Sequence, residues 1–172
     1  MKNPNLLNLL ENTVKCHEGF SYNIYNGECN PQTGYMVALR GFQREVTKSE
    51  SIVQTGREYM LNYAEMLVNT DNFMGCWVAD DRVMFDVSIH LNDLTDAIRQ
   101  ADINEQEAIW DCANNVEIYL DSPKARLELI RIELRGERIS YGELAELQSL
   151  IEHIGPEDIE LLEAADVPEN QR

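Results

Sequence analysis

The sequence predicts an α+β fold: a mostly antiparallel sheet with packed helices over about residues 1–121, followed by a C-terminal helical region over 122–172. Three observations carry this expectation. Met74-Gly75-Cys76-Trp77-Val78 and Val83-Met84-Phe85-Asp86-Val87-Ser88-Ile89 are strand-like runs on either side of Asp80-Asp81, the pattern of an antiparallel hairpin. Apolar stripes at helical spacing lie between the strand-like runs. From Ser122-Pro123 onward the signals are helical only, beginning with an N-cap residue and a proline at the first helical position.

The elements follow in order. Asn5 to Cys16 reads as a helix with Leu6, Leu9, Leu10 and Val14 on one face. Phe20 to Tyr25 alternates apolar and polar as a half-buried strand does, and Asn26-Gly27 and Asn30-Pro31-Gln32-Thr33-Gly34 are turn chemistry. Tyr35-Met36-Val37-Ala38-Leu39 suits a central strand, ended by Gly41. Ser49 to Thr70 carries a helical stripe of Ile52, Tyr59, Met60, Tyr63, Met66 and Leu67, with Gly56 its weak point. Asn92 or Asp93 caps a helix through Leu94, Ala97, Ile98 and Ala101. Ala108–Asp111 and Val116–Leu120 read as strands around Asn114-Asn115. The helix opened by Ser122-Pro123 shows Leu127, Ile130 and Leu134 on one face and closes at Gly136. Ser140 and Glu143 form a capping box for a helix carrying Leu144, Leu147, Ile151 and Ile154. A last short helix runs through Ile159 and Leu162, and the tail from Val167 reads as frayed.

Charge bounds the function more than any motif does. The 172 residues hold 31 acids against 14 bases, a formal net charge of −17. Nucleic-acid affinity rests on Lys and Arg set against phosphates, so direct, tight nucleic-acid binding is not expected. An acidic surface suits solubility or a basic partner. Apolar residues make up 44% and charged residues 26%, an ordinary globular balance. No apolar run approaches the roughly 20 residues of a membrane helix. The patch Leu6-Leu7-Asn8-Leu9-Leu10 is too short and interrupted for a signal peptide, so a soluble, cytoplasmic protein without a membrane partner is expected.

Catalytic and metal constellations are thin. Cys16, Cys29, Cys76 and Cys112 are scattered without a CxxC pair and read as reduced thiols, several packed as small hydrophobes. A zinc site from Cys16, His17, His90 and another cysteine lacks ligand-pair spacing, and no metal or cofactor is expected. Asp86, Ser88 and His90 alternate onto one strand face and are the residue types of a hydrolase triad. Same-face neighbours on a strand stand nearly 7 Å apart, whereas a base and its nucleophile meet at about 3 Å. A polar sheet face, solvated or covered by helices, is the plainer reading, and the chain is expected to be non-enzymatic. Trp77 and Trp110 read as core residues, while Tyr22, Tyr25 and Tyr35 offer an exposed aromatic patch as an alternative to packing.

The acids are not evenly spread. Residues 71–121 hold 12 acids and 2 bases, residues 122–140 hold 5 bases and 3 acids, and residues 141–170 hold 9 acids and no base. The basic-leaning stretch leaves an opening for weak phosphate contact. The candidate partner-binding residues are Asp80, Asp81, Asp93, Asp96, Asp102, Glu105, Glu107 and Asp111, weighed against an acidic surface that only solubilises.

Gly34–Leu39, Gly75–Val78, Phe85–Ser88 and Ala108–Asp111 resemble small uncharacterised proteins of bacteriophages and plasmids. Glu133–Leu144 through Leu161–Ala165 resembles a helical module found in the same setting. The resemblance implies a mobile-element origin, in which accessory acidic proteins often counter host defences. The expectation is an acidic protein that inhibits a host nucleic-acid-handling defence complex, anti-CRISPR or anti-restriction in type, by binding its basic surface. The alternative is a regulatory or assembly protein that forms a homodimer through a seam of Leu144, Leu147, Ile151 and Ile154. A hydrolase or modifying enzyme comes third.

Overall fold

The computed structural model describes residues 5–16, 19–47, 51–79 and 82–168, so the Asp80-Asp81 turn and the end of the tail lie outside the described residues. Among the described residues the chain forms β1 (Phe20–Tyr22), β2 (Tyr35–Ala38), β3 (Arg44–Thr47), β4 (Asn72–Ala79), β5 (Arg82–Leu91), β6 (Ala108–Asp111) and β7 (Val116–Tyr119). Its helices are α1 (Leu6–Cys16), α2 (Ile52–Asn62), α3 (Ala64–Leu67), α4 (Leu94–Ile103), α5 (Pro123–Arg135), α6 (Tyr141–Ser149) and α7 (Ile159–Ala164), with a 3₁₀ turn at Ile151–His153. The α+β class with a mostly antiparallel sheet is therefore what the chain adopts.

One sheet joins the strands in the order β1-β4-β5-β2-β6-β7, with β3 added beside β5 off this path, and each pairing is antiparallel. The long strand β5 is the spine. Its first half pairs with β3 (Arg44↔Phe85) and its second half with β2 (Val37↔Ile89), so β2 and β3 line up along one side of β5. β3 is not expected from the sequence. In Arg44-Glu45-Val46-Thr47 only Val46 is buried, which leaves too little apolar alternation to read.

Strand alternation sorts the side chains into two faces. Val83, Phe85 and Val87 of β5, with Met74, Cys76 and Phe20, meet Leu10 of α1, Ile52 and Tyr59 of α2 and Leu67 of α3. Tyr59 is fully buried, stacks on Phe85 at 5.5 Å and donates its hydroxyl to the Phe42 carbonyl at 2.5 Å. Burying such a side chain contributes roughly 1.5–3 kcal/mol. Further along the same face, Val37, Ile109 and Ile118 meet Ala97, Ile98 and Ala101 of α4 and Ala125 of α5. Gly56 proves to be a packing requirement, because a Cβ there would lie 2.8 Å from the Leu10 side chain. The helix expected over Ser49–Thr70 is divided at Tyr63, which leaves helical geometry while its ring packs on Phe42 and Tyr59.

The opposite face carries Phe73, Gly75 and Trp77 of β4 beside Met84, Asp86, Ser88 and His90 of β5. At one end the connection between β1 and β2 crosses it. Pro31 is buried there, and the Thr33 carbonyl lies 2.7 Å from His90 Nε2. Gly34 sits at φ +77, where any side chain would run into the His90 ring and the Leu91 carbonyl. Away from that connection the face is open at two places, at Trp77 on β4 beside Met84 and at Trp110 on β6 beside Met36. Trp77 and Trp110 are 44% and 41% exposed, so neither is the core residue that its apolar neighbours suggest.

The local helix signals hold. Asp93 caps α4 and Ser122 caps α5, and Ser140 and Glu143 complete their capping box. The closing of α5 differs: Gly136 keeps a negative φ, and Glu137 takes the left-handed conformation instead. α5 joins the two parts of the chain. Its Ala125 packs with α4, while Leu127 and Ile130 enter a second core with Leu147, Ile154, Leu161 and Leu162. The C-terminal region thus docks on the sheet domain through α5.

Candidate interaction surface

The eight acids singled out in the sequence do not form one surface. Asp80 and Asp81 lie outside the described residues. Asp93 accepts the Asp96 N–H at 3.0 Å as the cap of α4, and Asp96 pairs with Arg99 at 3.3 Å. Asp102 is exposed in the last turn of α4, roughly 14 Å from Asp93 at 1.5 Å per residue. Glu105 is ion-paired with Arg40. Asp111 is a correction. It is 3% exposed and accepts the Ala113 and Asn114 N–H groups and the Asn114 amide, closing the β6–β7 turn. Those hydrogen bonds, the Asn114 amide first, hold its carboxyl below the usual range. A carboxylate spent on a turn cannot also meet a partner.

Glu107 stands near Tyr119 with two further acids, Glu117 and Asp121. Tyr119 of β7 donates its hydroxyl to Glu117 at 2.6 Å, and its phenol is pushed up by that bond, by the Glu117 charge and by Glu107 and Asp121 nearby. Glu107, Glu117 and Asp121 make no ion pair among the described residues. Trp110 lies across from Glu117 in the β6–β7 register, on the open face that Glu117 and Tyr119 share. Tyr119 is 50% exposed and Val116 47%. The hairpin therefore shows uncompensated carboxylates interleaved with exposed aromatic and apolar groups. Sequence reading misses Glu117, Asp121, Trp110 and Tyr119 as a site. The alternation Val116-Glu117-Ile118-Tyr119 does place Glu117 and Tyr119 on one face, but nothing in it says that this strand ends the sheet.

The arginines of the basic stretch 122–140 pair with carboxylates of the chain, Arg131 largely buried and Arg135 and Arg138 more than half exposed. Arg126 grips Glu146 through two hydrogen bonds of 2.7 and 2.8 Å. Arg131 reaches Glu128, Asp158 and Glu160, Arg135 pairs with Glu160, and Arg138 with Glu133. These guanidiniums are already engaged by carboxylates, so a phosphate would have to compete with ion pairs within the chain. The homodimer seam is also corrected. Leu147 is fully buried and Ile154 nearly so in the chain's own core, Leu144 is half-buried, and Ile151 lies past the end of α6 in the 3₁₀ turn. The tyrosines form no patch: Tyr22 and Tyr35 pack against separate cores and Tyr25 stands alone in exposure.

Asp86 and Ser88 do meet, although strand spacing alone sets same-face neighbours nearly 7 Å apart, but His90 makes no hydrogen bond to either among the described residues, so the three form no relay. Ser88 donates to Asp86 Oδ1 at 2.6 Å, Trp77 Nε1 donates to Asp86 Oδ2 at 3.1 Å, and His90 is held by the Thr33 carbonyl. Asp86 lies over Gly75, where a Cβ would overlap its carboxylate. It is 7% exposed, and burial pushes its carboxyl up against the opposing pull of Ser88 and Trp77. The native chain thus holds a proton here that the unfolded chain releases from about pH 4 upward, so this group lowers stability as pH rises through that window. Asp86→Asn keeps both hydrogen bonds, through Oδ1 to Trp77 and Nδ2 to Ser88. It is expected to remove a slope of at most about 1.4 kcal/mol per pH unit and to stabilise the protein at neutral pH. Urea unfolding of both proteins between acid and neutral pH checks this, and parallel pH profiles contradict it.

Cys76 and Cys112 are buried thiols and Cys29 is half-buried, with burial pushing Cys76 up to about 12. His17, named for a zinc site, lies outside the described residues, and no metal-binding group of three or more His, Cys, Asp or Glu occurs among those described. No described helix is long and apolar enough to cross a membrane. No protein-family model matches the chain, and neither a curated protein nor a solved structure matches it.

Proposed function

We propose that this chain is an acidic interaction protein of a mobile genetic element that inhibits a host nucleic-acid-handling defence complex, of restriction or CRISPR type, by occupying its basic surface in the host cytosol. The observation that carries the reading is the set of Glu107, Glu117 and Asp121 around the exposed Tyr119, without ion pairs among the described residues, with the exposed Trp110 across from Glu117. Carboxylates without internal cations steer a basic partner and set its orientation, and exposed aromatics supply anchors. The pairing of Arg126, Arg131, Arg135 and Arg138 with carboxylates of the chain supports the same reading, because it leaves that stretch few free cations for phosphates. The resemblance of four strand segments and the C-terminal module to phage and plasmid proteins supplies the setting. No observation favours the homodimer or the hydrolase over this reading.

The test is phage plating on a bacterial host with an active restriction or CRISPR system. Expression of the chain is expected to raise plating by at least about tenfold and to leave plating on a defence-free host unchanged. Unchanged plating against both classes of defence overturns the proposal.

A further inference from the structure

The two outer strands of the sheet end it differently. On β1 the chain closes its own edge: Ser21 N–H bonds to Asn30 Oδ1 and Asn30 N–H to the Ser21 carbonyl, both at 2.8 Å, and Tyr22 bridges to Cys29. Among the described residues β7 has no such cover. Leu120 N–H bonds to the Glu107 carbonyl at 2.9 Å, which fixes the phase of the ladder. Val116 and Ile118 therefore turn their backbone groups toward β6, and Glu117 and Tyr119 turn theirs outward. The Tyr119 carbonyl is taken by the Ser122 N–H and hydroxyl at 3.0 and 2.5 Å. The N–H and C=O of Glu117 and the N–H of Tyr119 have no protein partner among the described residues.

An open edge is a template for another strand, and its side chains select which one. Here Glu117 projects from the edge strand, with Glu107 and Asp121 near its end. A second copy of β7 would set like charges against each other, and nucleic acid would do the same. We propose that the β7 edge takes up an extended, Lys/Arg-bearing segment of a partner protein as an added strand, an inference that rests on the basic-partner reading above. The outward groups of Glu117 and Tyr119 supply the main-chain hydrogen bonds. Alternate residues of the added strand fall on the open face, where a Lys or Arg meets the Glu117 carboxylate and the Tyr119 ring. Trp110 backs this position from β6.

The test uses the full chain and a synthetic capped peptide of alternating Lys and Val, read by fluorescence anisotropy at low ionic strength. Three further arms are an acidic peptide of alternating Glu and Val, the basic peptide N-methylated at alternate residues, and two protein variants. Glu117→Gln removes the charge alone. Glu117→Pro also removes an outward N–H while sparing the β6–β7 ladder. The basic peptide is expected to bind, the acidic one not to, N-methylation to weaken binding at least about tenfold, and Glu117→Pro to weaken it well beyond Glu117→Gln, with circular dichroism confirming the fold of each variant. Equal binding of the N-methylated and parent peptides by the wild-type chain overturns strand addition but leaves the basic-partner reading standing. Absence of basic-peptide binding overturns the inference, and phage plating then reports on the wider reading by itself.

Discussion

Arg131→Met is expected to lower the unfolding free energy by about 3 kcal/mol at neutral pH, the low end of the roughly 3–5 kcal/mol for breaking a buried ion pair by removing one partner. Arg131 is 13% exposed and touches three carboxylates: Glu128 at 3.2 Å, Asp158 at 2.5 Å and Glu160 at 2.8 Å. Without it those acids face one another between α5 and α7, with Arg135 still paired to Glu160. A methionine of similar length keeps most of the packing, so the loss reports the charge. Arg131→Lys, a single ammonium that cannot fork between Asp158 and Glu160, is expected to fall between wild type and Arg131→Met. Arg135 first, and then Arg131 against the opposing effect of burial, hold Glu160 down to about 2, and Arg131 lowers Asp158 as well. For carboxyls lowered in this way, the stabilisation is present above the ordinary range near pH 4 and is lost as pH falls toward about 2. The gap between wild type and Arg131→Met is therefore widest at neutral pH and closes on acidification. Urea unfolding at pH 7 and pH 3 measures both values, and equal stability at pH 7 contradicts the assignment.

Combining Glu107→Gln, Glu117→Gln and Asp121→Asn is expected to weaken binding to a basic partner by about tenfold or more at low salt, since exposed charge contacts contribute roughly 0.2–1 kcal/mol each. The three carboxylates form no ion pair among the described residues, so the triple variant is expected to fold as the wild type does. Its binding is also expected to vary less with salt, because the screened charges are those removed. A comparison pair, Asp93→Asn with Asp96→Asn, removes charge from the other end of α4, and asparagine still caps the helix. That pair is expected to change affinity far less. Equal losses in the two variants, measured by titration over a salt series, indicate net charge acting without a defined surface.

What the sequence made legible was local. The β4–β5 hairpin, the Asp93 and Ser122 caps and the Ser140–Glu143 capping box depend on residues within a few positions of each other, and all are present. What it hid depended on contacts across the chain. Arg131 meets Asp158 and Glu160 nearly thirty residues away, so an apparently basic helix became an internal neutraliser of the acidic C-terminus. Leu147 and Ile154 looked like a free stripe because the helix that covers them, α7, is too short to announce its role. Trp77 and Trp110 looked buried because their strands are apolar, yet both face the side of the sheet left open. Asp111 could have been read correctly, since Asp111-Cys112-Ala113-Asn114 is a sequence in which the aspartate caps its own turn. Only the strand order shows that β7 ends the sheet, and that placement turns Glu117 and Tyr119 from ordinary strand residues into a candidate docking edge.

The most direct test of the proposed role is phage plating on a host with active defence, with the wild-type chain and the Glu107→Gln, Glu117→Gln, Asp121→Asn variant expressed side by side at equal levels. The wild-type chain is expected to raise plating and the variant to lose most of that rise. Equal protection by both, or no rise with either, contradicts a function carried by the β6–β7 carboxylates.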